Sequence, residues 1–596
     1  MPMSRTRKIV LILSGIALVV FVVGVLLVAL VISAFSDNEP SIADKSVVVF
    51  NLGGSLPDYV ADDPLAAKFL NRDDESLTNI LLQLRKAKTD ARIGGVLLKI
   101  NLLDTGWAKI EELRDALADF RTSKKPVYAT IEFGTNKEYY LATACDKIFV
   151  LPEGVLFING LAADVMFFRG SLDKLGVQIE VAKIGKYKNA PDQLTDKQMN
   201  EAFREVVNSL LDEEFNRYID GIAQARNISP QDVRTLIDNA PLTPEQARDA
   251  RLIDAVAYRD EIDADFRKRL NYDDKETDEK KLRTVAASKY KAVTPESLDL
   301  NKGERIAVIY AAGTVNSGTS GNSTIGADTI IKALNDARDD KTVRAVVLRI
   351  DSGGGSGIAG DAIDHAVNLC KAQKPVVISM GDVAASAAYQ MSMSASKIVA
   401  EPSTVTGSIG VFSFKPVIRG LYDWLGVSNE YVLRGKNAGL LREDQPFSPD
   451  ERRVFENMVQ NFYQTFITKV ARGRSRDVEY INSIAQGRVW TGAQARERGL
   501  VDEIGGFEKS IQVAKSLANI PADKEVRRVV FPAPKTFLES FLGNDTTDEA
   551  RAATARQTMI DAMPKEAQRS LRYVSTFDKL KRGEAVAMMP FDLEIK

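Results

Sequence analysis

The chain has 596 residues, more than one hydrophobic core accommodates, so two or more domains are expected. A hydrophobic share of 45% with a formal net charge of -2 excludes the basic surface of a nucleic-acid-binding protein. Cys145 and Cys370 match no metal-ligand spacing and lie in separate apolar-patterned segments, which predicts two buried thiols rather than a disulfide.

An unbroken run of apolar and small residues starts at Ile9 and ends at Phe35, long enough to cross a bilayer as a helix. Arg5, Arg7 and Lys8 precede it, and Asp37 and Glu39 follow. The positive-inside rule then keeps the N-terminus in the cytoplasm and places everything after about residue 36 outside. A cleaved signal peptide has an apolar region of only about 7–15 residues. Residues 1–36 therefore read as a cytoplasmic N-terminus and an uncleaved anchor.

Residues 45–52 (KSVVVFNL) read as the first strand beyond the anchor, and a similar opening recurs at residues 305–312 (RIAVIYAA). From there the two halves run in parallel. Gly95-Val-Leu-Leu-Lys-Ile100 matches Ala345-Val-Val-Leu-Arg-Ile350, Lys147-Ile148 matches Lys397-Ile398, and Pro152 matches Pro402. Leu172-Asp-Lys-Leu-Gly-Val177 matches Tyr422-Asp-Trp-Leu-Gly-Val427, and the stretch ending at Asp254 matches the one ending at Asp502. A register this constant is an internal repeat.

Each half alternates short β-branched runs with helical patterns, as at residues 110–120 and 363–370, so βαβ units and a mostly parallel α/β sheet are expected. Residues 201–225 and 451–472 read as long helices. The domain reading is a first repeat at 45–270, a charged linker at 271–300 built around DDKETDEKK, and a second repeat at 301–520. A C-terminal extension follows at 521–596, less periodic, with a charged helical stretch at 546–572.

The stretch from residue 376 to 410 carries the chemistry. Val376-Val377-Ile378 reads as a buried strand and Gly381-Asp382 as a turn. Ser386 then stands among Ala384, Ala385, Ala387 and Ala388 at the start of a helix, near unsatisfied amides. Taken alone it is an ordinary N-cap.

The differences between the copies say more. Ser386 falls opposite Asn136, and the glycine loop of residues 351–357 falls opposite NLLDTGW, so the first half has neither serine nor amide-rich loop. Glycines after a strand expose backbone N–H groups suited to an oxyanion hole, whereas a phosphate loop would need a following Gly-Lys-Ser/Thr. Lys186 falls opposite Lys436, but Lys188 falls opposite Ala438. The only histidine, His365, sits between core-facing Ile363 and Val367 and is expected to face solvent. With no G-x-S-x-G elbow either, a nucleophilic serine needs another base, and Ser–Lys pairs supply one when the lysine is neutral.

Met380-Gly-Asp-Val-Ala-Ala-Ser-Ala-Ala-Tyr389, Pro402-Ser-Thr-Val-Thr-Gly-Ser-Ile-Gly410, Gly487-Arg-Val-Trp-Thr-Gly492 and Ile184-Gly-Lys-Tyr-Lys-Asn-Ala190 resemble the long, tandem form of signal peptide peptidase A, also called protease IV. The resemblance implies a Clp-protease/crotonase-like fold in each half. It also implies a Ser–Lys dyad with Ser386 as nucleophile and Lys188 as general base, oriented by Ser408. Backbone amides of Gly354 and Ala387 would form the oxyanion hole. It further implies a homo-oligomer, a tetramer by resemblance, on the bacterial inner membrane, single-pass with its bulk periplasmic, degrading remnant signal peptides without metal or cofactor. Two departures bear on substrate fit: Ser352-Gly353-Gly354-Gly355 lacks the usual proline, and Ser386-Ala387-Ala388 replaces Ser-Gly-Gly.

The reading is thus a membrane-anchored serine endopeptidase. An acyl-CoA hydratase or isomerase of the crotonase type and a catalytically dead membrane scaffold are its rivals. The second half alone, residues 301–596, is expected to fold at least partly and to be inert.

Overall fold

The computed structural model describes residues 41–60, 75–272, 281–321, 323–533, 586–589 and 594–595, with four positions between 15 and 23. The expected membrane anchor, the charged run 273–280 and the helical stretch at 546–572 lie outside the described residues, apart from those four positions. Among the described residues no helix is long and apolar enough to cross a membrane.

Each half is built on a mostly parallel sheet. The first runs Ala255–Val256, Lys147–Phe157, Val127–Thr135, Ile93–Asp104, Ser46–Ser55, Thr284–Ala286, with parallel neighbours throughout. The second runs Val489–Thr491, Val405–Gly407, Val376–Ala385, Val343–Ser352, Glu304–Ala312, Val526–Val530, and only its first pair is antiparallel. Helices cover the sheet faces, which is why strands such as Val376–Ala385 read as near-continuous apolar runs rather than alternating ones. The two long helices form at Glu201–Arg226 and Pro449–Gly473, each with a side-chain N-cap, Asn200 and Ser448.

The repeat extends to individual hydrogen bonds. Ile148 N–H donates to Asp254 Oδ2 and Ile398 N–H to Asp502 Oδ2, both at 2.8 Å. The Tyr139 hydroxyl donates to Leu252 O at 2.8 Å, as the Tyr389 hydroxyl does to Leu500 O at 3.0 Å.

A third sheet joins the halves. Its order is Thr324–Gly326, Thr314–Asn316, Gly354–Ser356, Val586–Met588, Val411–Val417, Gln178–Ile184. The last of these comes from the first half and runs antiparallel to Val411–Val417, from Val411 opposite Ile184 to Val417 opposite Gln178. One buried cluster spans both halves, with Val48 and Ile100 from the first and Val308, Val347 and Val377 from the second.

Three expectations need correction. Gly381-Asp382 is no turn but lies inside the strand Val376–Ala385, because the Asp382 carboxylate accepts the N–H groups of Gly106 and Lys109 from the first half. The charged linker is shorter than 271–300: Thr284–Ala286 adds to the first sheet beside Ser46–Ser55, and Tyr290 and Val293 are buried behind it. The extension beyond 521 contributes two strands, Val526–Val530 and Val586–Met588, to the second half's sheets. Both cysteines are free and buried, as their apolar surroundings lead one to expect.

Candidate active site

Ser386 terminates the strand Val376–Ala385 and precedes a single helical turn, Ala387–Gln390. Its backbone has φ 61 and ψ -114, a conformation that L-residues rarely adopt and that costs about 1–3 kcal/mol. The surroundings hold it there. Ser386 N–H donates to Gly407 O, and Ser386 O accepts from Gln390 N–H, both at 2.8 Å. In this conformation Ser386 Oγ lies 2.8 Å from Lys188 Nζ.

Lys188 follows the strand Gln178–Ile184, so the third sheet carries it out of the first half and into the second. It is 0% exposed. Its Nζ lies 2.8 Å from Ser386 Oγ, 2.9 Å from Ser408 Oγ and 3.1 Å from Ser408 O, so a neutral amine can donate its two N–H groups to the Ser408 oxygens and accept the Ser386 hydroxyl. Burial pushes its pKa well below the ordinary 10.5, and no carboxylate offsets that push. The lysine is therefore disposed to be a neutral amine, and a neutral amine can take a proton.

Close backbone approach fixes this lysine. Gly487 has φ +75, and a Cβ on it would fall 2.6 Å from both Lys188 Cβ and Lys188 N. Tyr187 N–H donates to Gln486 O at 2.8 Å, and Gly487 N–H to Ile409 O at 2.9 Å. Ser408, at φ 51 and fully buried, donates its N–H to Arg488 O at 2.7 Å, which leaves its side chain beside the amine.

The glycine loop lies next to the serine. Gly354 has φ +100, and a Cβ there would come 3.0 Å from Ala387 N and 3.0 Å from Ala385 O. Its own N–H donates to Ser352 Oγ at 3.1 Å. Ser386, Lys188, Ser408, Gly354 and Ala387 are thus within one small volume. Lys186 is not part of it: it is exposed and pairs with Glu205 at 3.6 Å. His365 is exposed on the helix Gly357–Lys371.

The corresponding place in the first half is closed. Asn136 stands where Ser386 would, with its Nδ2 donating to Gly160 O and its Oδ1 accepting from the buried Tyr218 hydroxyl. Where the glycine loop would offer amides, Leu103 N–H donates to the Glu138 carboxylate at 2.7 Å.

A buried ionic cluster under the loop escapes motif reading. Lys109, from the first half, reaches Asp351 Oδ2 at 2.7 Å, Asp382 at 3.6 Å and Asp58 at 3.8 Å. Arg349 Nη2 reaches Asp58 Oδ1 at 2.8 Å and Glu112 Oε1 at 2.5 Å. Asp351 and Asp382 flank the glycine loop and the serine strand, so the first half braces both. One signal was available: an arginine inside the apolar run Val343–Ser352 needs a buried partner.

Residues 119–273 and 368–521 each match peptidase family S49. The chain is 37% identical over 503 residues to the chloroplastic serine protease SPPA of Arabidopsis thaliana, covering 83% of this chain and 73% of that one. It is 34% identical over 457 residues to Protease 4 of Salmonella typhi, covering 75% and 73%. It is also 29% identical over 590 residues to Protease 4 of Haemophilus influenzae, covering 94% of each chain.

Proposed function

The chain belongs to peptidase family S49, carries the family's domain twice and is a serine peptidase; from that premise we propose that Ser386 is its nucleophile and Lys188 its general base. The observation that carries the assignment is the 2.8 Å contact between Lys188 Nζ and Ser386 Oγ in a fully buried setting. The neutral amine takes the hydroxyl proton as Oγ attacks a peptide carbonyl carbon. The ammonium then protonates the leaving amine, giving an acyl-enzyme. Water, deprotonated by the same amine, releases the acid and regenerates the serine. Ser408, bonded to the amine through both its oxygens, keeps it aimed at Oγ.

The developing oxyanion would be met by the Gly354 and Ala387 amides, whose backbones run so close that a Cβ on Gly354 would fall 3.0 Å from Ala387 N. The Gly354 N–H donates to the hydroxyl of Ser352 at 3.1 Å, a neutral bond that a charged oxygen outcompetes. The dead-scaffold reading requires Lys188 to be distant or ion-paired, whereas its contacts are hydroxyl and carbonyl oxygens within 3.1 Å. The hydratase reading requires a carboxylate acid/base where this site has an amine.

Substrates in this reading are short apolar peptides such as remnant signal peptides. The residues 9–35 would anchor the chain in the cell membrane with the site on the outer side, in an assembly of like chains. The test is hydrolysis of an apolar oligopeptide. Ser386→Ala and Lys188→Ala should each lower kcat by 10⁴-fold or more, on the order of losses from other serine-peptidase nucleophiles and bases, with the double variant no worse than either single one. Lys186→Ala should keep most of the activity. Retained hydrolysis in Lys188→Ala overturns the assignment.

A further inference from the structure

Lys188 stands in a tight turn, and the side chains that fix this turn converge on one carboxylate. The turn joins the strand Gln178–Ile184 to the short helix Asp192–Thr195. Within it Lys188 N–H donates to Gly185 O at 3.2 Å, Asn189 N–H to Tyr187 O at 2.9 Å and Asp192 N–H to Asn189 O at 2.9 Å. The Asp192 side chain bonds back across the turn. Its Oδ2 accepts from Asn189 Nδ2 at 2.7 Å and from Asn200 Nδ2 at 2.8 Å, and its Oδ1 pairs with Lys183 Nζ.

Each of the three donors belongs to a different piece of the chain. Lys183 lies on the strand, opposite Phe412 of the second half. Asn189 is fully buried and directly follows the lysine of the dyad. Asn200 caps the long helix Glu201–Arg226, with its Oδ1 accepting from Phe203 N–H at 2.9 Å. Asp192 itself is 2% exposed, and a carboxylate so buried is costly unless its oxygens are matched by donors, as they are here. One carboxylate thus ties the strand before Lys188, the residue after it and the helix beyond.

This arrangement occurs only in the copy that carries the lysine. At the shift that sets Lys188 opposite Ala438, Lys183 falls opposite Leu433, Asn189 opposite Gly439 and Asp192 opposite Arg442. Arg442 pairs instead with its near neighbour Asp444. The second copy still forms its long helix, Pro449–Gly473, with Ser448 as the cap. The fold of the repeat therefore does not need the three-donor carboxylate.

We infer that Asp192 is a positioning residue for the general base, locking the turn so that Lys188 Nζ stays on Ser386 Oγ. The inference rests on the proposed function, in which Lys188 is that base. The amine sits at the end of a four-carbon stem, so a small rotation of the turn is magnified at Nζ. About 1 Å of misplacement is enough to cost about 100-fold in rate.

The test is steady-state hydrolysis of an apolar oligopeptide by full-length variants, alongside thermal melting. Asp192→Ala releases all three donors and should lower kcat about 100-fold with KM within about twofold, because a carboxylate this buried meets no substrate. Asp192→Asn keeps one oxygen for Asn189 and Asn200 and should lose less than about 10-fold. Asn189→Ala removes only the link to the neighbour of the base, so it should melt as the parent does and fall between the other two; it decides the matter if Asp192→Ala melts early. A merely structural residue would act whether or not the base is present. The rate at which a fluorophosphonate labels Ser386 should therefore fall on Asp192→Ala in the parent, yet stay the same on adding Asp192→Ala to Lys188→Ala. An unchanged kcat in Asp192→Ala and Asn189→Ala, a loss confined to KM, or an equal further slowing in the Lys188→Ala background overturns the inference. If Lys188 is not the base, Lys188→Ala itself keeps hydrolysis. If only the role of Asp192 is wrong, Lys188→Ala is inert while the Asp192 variants stay fully active.

Discussion

Lys188 Nζ stands 2.8 Å from Ser386 Oγ although the residues are 198 positions apart and belong to different copies of the repeat. A duplicated chain could have kept two sites. This one has a single complete constellation, since the first half closes its counterpart with Asn136 and Tyr218 and gives the loop amide of Leu103 to Glu138. The first half instead supplies a strand, a lysine and the ionic cluster that braces the second.

The first prediction concerns pH. Burial holds the Lys188 pKa well below 10.5, so kcat/KM should rise with pH through that depressed value and level off before 10.5. His365→Gln should not change the profile. Stability responds in the same direction. Between the folded and unfolded pKa values the unfolded chain binds one proton more, so stability climbs as pH rises. The difference in unfolding free energy between wild type and Lys188→Met should therefore grow by about 1.4 kcal/mol per pH unit within that window. Urea denaturation of both proteins from pH 7 upward measures it, and a flat difference would mean that the lysine folds protonated.

A second prediction follows from Gly487. Alanine there must displace Lys188, since its Cβ would sit 2.6 Å from Lys188 backbone and side chain at a φ of +75. Gly487→Ala should lower kcat about 100-fold, the effect of roughly 1 Å of misplacement, with KM little changed. Gly170→Ala, where a Cβ meets nothing within 4 Å, is the matched control and should be silent in both constants.

Much of this was legible beforehand because a repeat supplies its own comparison. Asn136 opposite Ser386 and Ala438 opposite Lys188 mark the asymmetry from residue identity alone. The ladder of strands and helices followed from buried β-branched runs and helical spacing. What stayed hidden depends on contacts between distant segments. Gly381-Asp382 carries a turn signature, yet the pull of the Gly106 and Lys109 amides on Asp382 keeps it in the strand. The strand Val586–Met588 is too short to have a period, and its pairing with Gly354–Ser356 and with Phe412 defines it.

The third prediction concerns Arg349. It is about 1% exposed and charged, held by Asp58 and Glu112, with Nη1 donating to Ser379 Oγ at 3.1 Å. Arg349→Met strands two buried carboxylates and should lower stability by about 3–5 kcal/mol at pH 7. The deficit should shrink towards pH 4.5, because stranded carboxyls fold more readily once protonated, so stability lost above their titration is recovered below it. A loss that stays constant across this range would mean that packing, not charge, makes the arginine necessary.

The last prediction separates a dyad within one chain from a dyad between chains. One chain alone brings Lys188 to Ser386, along a continuous path: the strand Gln178–Ile184 pairs seven residues with Val411–Val417 and the chain then reaches Lys188 directly. Exchanging that lysine between copies would require breaking this ladder and the buried Arg349–Asp58 and Arg349–Glu112 pairs, all of which join the halves. Mixing full-length Ser386→Ala with full-length Lys188→Ala should therefore restore no hydrolysis, even in mixed assemblies refolded together. The same contacts change the expectation for residues 301–596 alone. That piece would lose an edge strand, leave Arg349 without its carboxylates and expose the side of the core shared with Val48 and Ile100. It should be inert and should fail to melt cooperatively, unlike the partly folded half that the repeat pattern suggests. A calorimetric transition in the isolated half, or activity from the mixture, would show that the halves are less dependent on each other than these contacts require.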